Sequence, residues 1–219
     1  MKALIFDLDG TLVDSVHAHV LAWQRAMAEF ALSVDAAAIH QRIGMSGNLL
    51  MKECIRERER EAVADDMAAM DALHSKIFQQ LAPDPRPLNG ANELLRCLDT
   101  MGIPFGIATS AKRQDIASSL ANLALRADVV IVDGSATPNA KPEPDLFREC
   151  QRRLGVAATD CLVVGDAVWD ILAARRAGIL AVGLLCGGSN ADDLYRAGAF
   201  RVYHGPGELS LSLEELGFS

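Results

Sequence analysis

The chain has 219 residues, half of them hydrophobic and 23% charged, and 29 Asp and Glu against 21 Lys and Arg give a formal charge of −8. That apolar content suffices for a sizeable core and excludes a disordered or collagen-like chain. At about 150 residues per domain the length suggests a core with an insertion, or two small domains. The acidic balance speaks against nucleic acid and anionic membranes as partners, because both select basic surfaces. An anionic ligand would therefore need a divalent cation, a focused Lys or Arg, or backbone N–H groups.

The amino terminus has a short apolar run but neither the length nor the small-residue cleavage site of a secretory signal. No apolar stretch approaches the roughly 18 residues that span a bilayer. The expectation is a cytoplasmic protein, a monomer or homodimer. Cys54, Cys97, Cys150, Cys161 and Cys186 are odd in number and scattered, which fits free thiols in a reducing compartment.

In chain order, residues 2–6 form a first apolar run of strand length. Residues 16–80 contain no such run and are rich in Ala, Glu, Arg, Met and Leu at helical spacing, which predicts a helical insertion. The proline cluster Pro83, Pro85 and Pro87 closes it, since proline cannot continue a helix. Within it, the alternating charges from Arg56 to Glu61 fit a solvated helix face. Beyond residue 87, strand-length runs at 103–108, 128–132, 161–164 and 179–183 alternate with helical spacing at 91–101, 114–123, 144–154 and 171–177. Strands apolar on both faces, separated by amphipathic helices, predict an α/β fold: a doubly wound parallel sheet with an inserted α-helical domain. The predicted division is a core of residues 1–15 and 86–219, with residues 16–85 as the insertion.

Chemistry gathers at the strand ends. The first run leads into Asp7-Leu8-Asp9-Gly10-Thr11, two carboxylates where open α/β sheets place ligands, although Asp-Gly also suits a plain turn. The run at 103–108 ends at Thr109-Ser110, just ahead of a predicted helix start where N–H groups attract anions. As a simple helix N-cap Thr109 would look the same. Lys141 follows the next strand, where a solvated surface lysine is the alternative. The run at 161–164 ends at Gly165-Asp166, with Asp170 four residues on, offering the hard oxygen ligands that Mg²⁺ prefers. Each feature is ordinary alone; four in succession at strand ends point to a phosphate and metal site.

The segments DLDGTLVDS (7–15), IATS (107–110), KPEPDLF (141–147) and VVGDAVWDI (163–171) resemble the haloacid dehalogenase superfamily of Mg²⁺-dependent phosphohydrolases, over essentially the whole chain. The helical insertion looks like the small cap of the phosphoglycolate phosphatase and β-phosphoglucomutase subgroup. The resemblance implies that Asp7 is a nucleophile forming an aspartyl phosphate and that Asp9 is the general acid and then base. It implies that Thr109 and the N–H of Ser110 hold phosphoryl oxygens, and that Lys141 neutralises charge and steadies Asp7. Mg²⁺ would be held by Asp7, the carbonyl of Asp9 and Asp166, with Asp170 as ligand or support. The substrate would be a small phosphorylated metabolite, with phosphoglycolate a fair candidate and sugar phosphates and nucleoside monophosphates open; a sugar phosphate mutase or a non-catalytic Mg²⁺ and phosphate binder are the alternatives. Ala140 and Ala167 stand where glycine and a hydroxyl residue are common, and neither removes a catalytic group.

In the insertion, residues 42–48 carry two glycines and suit a loop reaching the active site. Arg42 is expected to meet a carboxylate or second phosphate of the substrate, and Ser46 and Asn48 its hydroxyls; helix-end and loop-capping roles are the alternatives. An arginine expected of a mutase after this loop is replaced by Asn48. The histidines show no shared spacing: His17 and His19 point to different faces of one helix, and His40, His74 and His204 have no partner, which argues against zinc.

Overall fold

The computed structural model describes residues 2–58 and 63–218. In chain order the elements are β1 (Ala3–Phe6), α1 (Val16–Glu29), α2 (Ala36–His40), α3 (Gly47–Arg56), α4 (Ala64–Leu81), α5 (Ala91–Met101) and β2 (Phe105–Ala108). There follow α6 (Ala117–Ala121), β3 (Val130–Val132), α7 (Asp145–Leu154), β4 (Cys161–Gly165), α8 (Val168–Ala177), β5 (Leu180–Leu184), α9 (Ala191–Ala197), β6 (Arg201–Tyr203) and α10 (Pro206–Leu211).

The six strands form one parallel sheet in the order β3-β2-β1-β4-β5-β6. All residues of β1, β2 and β4 are buried, as continuous apolar runs require when helices cover both faces. Side-chain alternation along β1 divides the core into two layers. Leu4 and Phe6 join Leu94, Leu95 and Leu98 of α5 on one face, whereas Ala3 and Ile5 join Phe147 of α7 and Ile171 of α8 on the other. The strand order reverses between β1 and β4, where Phe6 pairs with Val164, and such a switch point opens a crevice at the carboxyl ends of the strands.

Helices α1 to α4 carry a third apolar cluster, including Val20, Trp23, Met27, Ile39, Leu50, Met51, Met67 and Met70. The chain leaves and re-enters the sheet region through paired segments. The Asp14 N–H donates to the Arg86 carbonyl and the Leu88 N–H to the Leu12 carbonyl, both at 2.9 Å, with Val13 bridged to Pro87 between them. The proline cluster thus forms one rail of a two-stranded connection.

Several elements differ from the expectation: α9 and α10 were not foreseen, and two more stand out. The helix expected over 114–123 shrinks to α6 and begins only at Ala117, and β6 is an unforeseen strand of three residues that opens with exposed Arg201. Of the charge run, Arg56 ends α3 and exposed Arg58 donates to the Ser33 carbonyl at 2.9 Å, while Glu59 to Glu61 lie outside the described residues. All five cysteines are free thiols; Cys54, Cys150 and Cys161 are buried. Among the described residues no helix is long and apolar enough to cross a membrane.

Candidate active site

Asp7 is the first residue past β1, and its N–H still donates to the Val164 carbonyl at 2.9 Å, so the strand ladder fixes the backbone that carries its carboxylate. Asp166 occupies the same position after β4. Both side chains are buried. Lys141, from the loop after β3, is fully buried rather than solvated, and its Nζ donates to Asp7 Oδ1 and, at 2.8 Å, to Asp170 Oδ1. A buried ammonium is tolerable only with such partners. Thr109 is also buried, with its N–H bonded to the Val132 carbonyl and its Oγ1 accepting from the Ala111 N–H at 3.1 Å. It therefore shapes the turn after β2 and is not the N-cap of a helix, because α6 starts eight residues later. That also corrects the expected helix-terminus anion site. The Ser110 N–H has no acceptor among the described residues, so the loop itself presents a donor.

Burial pushes the Asp7 carboxyl up to about 7, with Asp170 and Asp9 adding to the rise and Lys141 opposing it. Burial likewise holds Asp166 well above the ordinary carboxylate range, helped by the charges of Asp170 and Asp7. Although burial works against its charge, Lys141 is held above the usual lysine range by Asp170 and Asp7. Asp9 behaves differently: burial raises it, but His19 and the Ser15 hydroxyl outweigh that and hold it below the usual value.

Asp7, Asp166 and Asp170 each present a carboxylate oxygen, all within 4.8 Å of one another. Three carboxylates stand against one ammonium, and burial first, with their mutual repulsion added, raises the carboxyls of Asp7 and Asp166. The donor set, all hard oxygen, fits a divalent cation. Asp170 is the least available of the three, since its Oδ1 accepts from Lys141 and its Oδ2 from the Ala167 N–H at 3.0 Å. A backbone donor therefore serves Asp170 at the position where Ala167 lacks a hydroxyl. Asp166 Oδ1 accepts from the Thr11 hydroxyl at 2.6 Å. Glycine is required around it: a Cβ on Gly10, at φ +83°, would lie 2.5 Å from Asp166 Oδ2, and one on Gly187 would collide with the same atom.

Above these groups lies a cavity of about 910 Å³, bounded below by Asp7, Asp9 and Thr109 and above by residues 43–52 and α4. The loop after α2 is tied to the sheet edge: Ser110 Oγ donates to the Gly44 carbonyl at 3.1 Å and the Trp169 indole N–H to the Gln41 carbonyl at 2.8 Å. Ser46 and Asn48 line the cavity, although the Ser46 hydroxyl also caps α3 by accepting from the Leu49 N–H at 3.3 Å. Arg42 is not part of the lining. Its guanidinium turns back to the Ala38 carbonyl at 2.6 Å and to Glu57, so the expected contact with a substrate carboxylate is corrected to a helix-end role.

A model of the haloacid dehalogenase-like hydrolases matches residues 1–178. The chain belongs to that family. Among relatives of this hydrolase, it is 32% identical to a validoxylamine A 7'-phosphate phosphatase of Streptomyces hygroscopicus subsp. limoneus, over 84% of this chain and 85% of that protein. It is also 32% identical to a phosphoglycolate phosphatase of Rhodospirillum rubrum, over 92% of this chain and 86% of the other. A solved structure of a hydrolase from Pseudomonas syringae superposes with a TM-score of 0.95 at 38% identity, covering 99% of both chains. The protein is a phosphohydrolase of this family.

Several residues of this hydrolase's site were not singled out from the sequence. Thr11 holds Asp166 and Ser15 holds Asp9, and both stand in the first motif segment, where their hydroxyls were the available clue. His74 has a partner after all: its Nε2 lies 3.1 Å from Nδ1 of His19, and both rings line the cavity. Spacing cannot reveal a pair 55 residues apart.

Proposed function

We propose that the protein is a Mg²⁺-dependent phosphatase that hydrolyses a small phosphomonoester through an aspartyl phosphate on Asp7. The observation that carries this reading is the buried cluster in which Lys141 bridges Asp7 and Asp170 at the floor of the cavity, beside Asp166. Asp7 Oδ1 is held by Lys141, which fixes the carboxylate for in-line attack on phosphorus and supplies positive charge to the phosphoryl oxygens. The N–H of Ser110, which has no acceptor among the described residues, would receive a phosphoryl oxygen, with Thr109 shaping the turn. Asp9, two residues on, gives a proton to the departing alkoxide and takes one from the water that cleaves the aspartyl phosphate. Asp7, the carbonyl of Asp9 and Asp166 would hold the metal, with Asp170 supporting through Lys141 and the Ala167 N–H. Bound there, the cation would neutralise the surplus carboxylate charge and let anionic phosphate approach an anionic nucleophile.

Helices α1 to α4 serve as the cap, residues 16–85, that covers the leaving group and excludes water. Phosphoglycolate remains a candidate substrate, but the cation expected to read its carboxylate is engaged with Glu57. Lys112, at the cavity wall, is paired with Asp71. The cavity is roomy for a two-carbon acid and suits a larger leaving group such as the sugar of a sugar phosphate, for sites of about 300–1,000 Å³ hold drug-sized ligands.

The test is phosphate release from a panel of phosphorylated metabolites with Mg²⁺. Release from any of them, lost in Asp7→Asn, supports the reading. An isomerised sugar phosphate without net release would replace it with a mutase, and no turnover of any kind would remove it.

A further inference from the structure

We propose that His19 and His74 form a positioning pair for Asp9, with His74 fixing the ring of His19 and His19 fixing the carboxylate. The proposal rests on the reading of Asp9 as the acid and base.

His19 comes from α1 and His74 from α4, and both are buried. His19 Nε2 lies 3.4 Å from Asp9 Oδ1, and its Nδ1 lies 3.1 Å from His74 Nε2. The flat faces are held as well as the edges. His19 stacks on Phe78 with ring centroids 3.8 Å apart and planes at 5°, and His74 stacks on Trp23 at 3.9 Å and 11°. Turning either imidazole about its Cβ–Cγ bond would break both its stack and its hydrogen bond.

The direction of the chain follows from what each atom can do. Oδ1 of Asp9 accepts whether or not Oδ2 carries the proton, so it is a hydrogen on His19 Nε2 that faces it. Burial, with the adjacent His19 ring, holds His74 well below the ordinary histidine range, so it is a neutral imidazole with one ring N–H. With that hydrogen on Nε2, His74 donates to His19 Nδ1, and His19 is locked into the tautomer that serves Asp9. A second partner that selects the tautomer of a working histidine is a recurring device.

The consequence falls on Asp9. Its Oδ1 takes the Ser15 hydroxyl at 2.6 Å as well as His19, whereas Oδ2 has no donor among the described residues, and Asp9 lines the cavity. One oxygen is anchored and the other is left to exchange the proton with the leaving group. Without His74, His19 can turn and Asp9 loses the orientation on which proton delivery depends.

The experiment compares kcat/KM of wild type, His74→Phe and His74→Gln on two substrates: an alkyl phosphate, whose alkoxide needs a proton, and p-nitrophenyl phosphate, whose phenolate leaves without one. kcat/KM covers steps up to transfer of phosphorus to Asp7, so the later role of Asp9 as base does not enter. His74→Phe keeps an aromatic ring against Trp23 and removes the hydrogen bond. It should lose about tenfold on the alkyl phosphate, part of the roughly 10²–10⁴-fold that general acids contribute, with less than about twofold change on p-nitrophenyl phosphate. His74→Gln, which retains a side-chain N–H, should recover part of that loss. Equal losses on both substrates, or none on either, overturn the proposal and leave the phosphatase reading standing. Should His74→Phe fail to fold in a thermal melt, His74→Leu takes its place under the same criteria. The alkyl phosphate is one that the metabolite panel shows to be turned over; wild type inactive on the whole panel would instead refute the phosphatase reading.

Discussion

At the carboxyl edge of the sheet, three buried carboxylates share one ammonium, whereas in the helical insertion two imidazoles lie stacked against Trp23 and Phe78. In the first arrangement Asp7 and Asp166 leave β1 and β4 directly, so the ladder sets their positions, while Lys141 comes from the loop after β3 and Asp170 from the first turn of α8. The second is built from rings on α1 and α4, and the packing of two helices sets their positions. The contrast separates two tasks. In the proposed function the sheet edge supplies the groups for bond making and breaking, and a cation would offset its surplus charge. The insertion adds orientation and shape at the contact with Asp9.

The comparison can be broken first at the nucleophile. Asp7→Asn should lower phosphate release by about 10⁴-fold or more, as losses of catalytic nucleophiles do, while the fold persists because the amide relieves repulsion. Substantial residual turnover would remove Asp7 from that role. Lys141→Met strikes the same network through stability. It leaves Asp7 and Asp170 without their shared cation, and breaking a buried pair in this way costs about 3 kcal/mol or more. Chemical denaturation should show the loss, and an unchanged midpoint would mean that the carboxylates are compensated from elsewhere.

The metal account carries a pH signature of definite sign. In the metal-free protein Asp7 titrates near 7, well above its unfolded value of about 3.9. The folded state therefore retains a proton that the unfolded chain has released, and stability should fall as pH rises from about 4 to about 7. Mg²⁺ must displace that proton, so its affinity should weaken by about tenfold between pH 8 and pH 6. Calorimetric titration at the two pH values, with melts of the chelated protein, checks both signs. Pairing that is insensitive to pH would contradict the surplus-charge picture. The smallest effect is expected in the insertion, at Arg42→Ala. Its pair with Glu57 is partly exposed and worth at most about 1 kcal/mol, and KM should stay level for substrates with and without a carboxylate. A selective rise for the carboxylate would restore Arg42 to substrate binding.

What could be read from the sequence follows the same division. Strands β1, β2 and β4 announce themselves as apolar runs, and Asp7, Thr109 and Asp166 are one residue past their ends, so local pattern is enough to find them. Lys141 sits in an irregular loop, and its burial was not readable because a lone loop lysine is ordinarily solvated. In the insertion the decisive facts are long-range. Arg42 folds onto Glu57, fifteen residues away, and His19 meets His74 across two helices, neither of which leaves a periodic trace. The edge strand β6 was missed because three residues beginning with an exposed arginine carry too little apolar pattern.

The most direct test of the central claim is to quench the working enzyme in acid during turnover and locate the phosphoryl group by peptide mass spectrometry. The account predicts one phosphoryl group on the peptide bearing Asp7, absent from Asp7→Asn. Phosphoryl on a different residue, or steady phosphate release with no phosphorylated enzyme at any time, would contradict it.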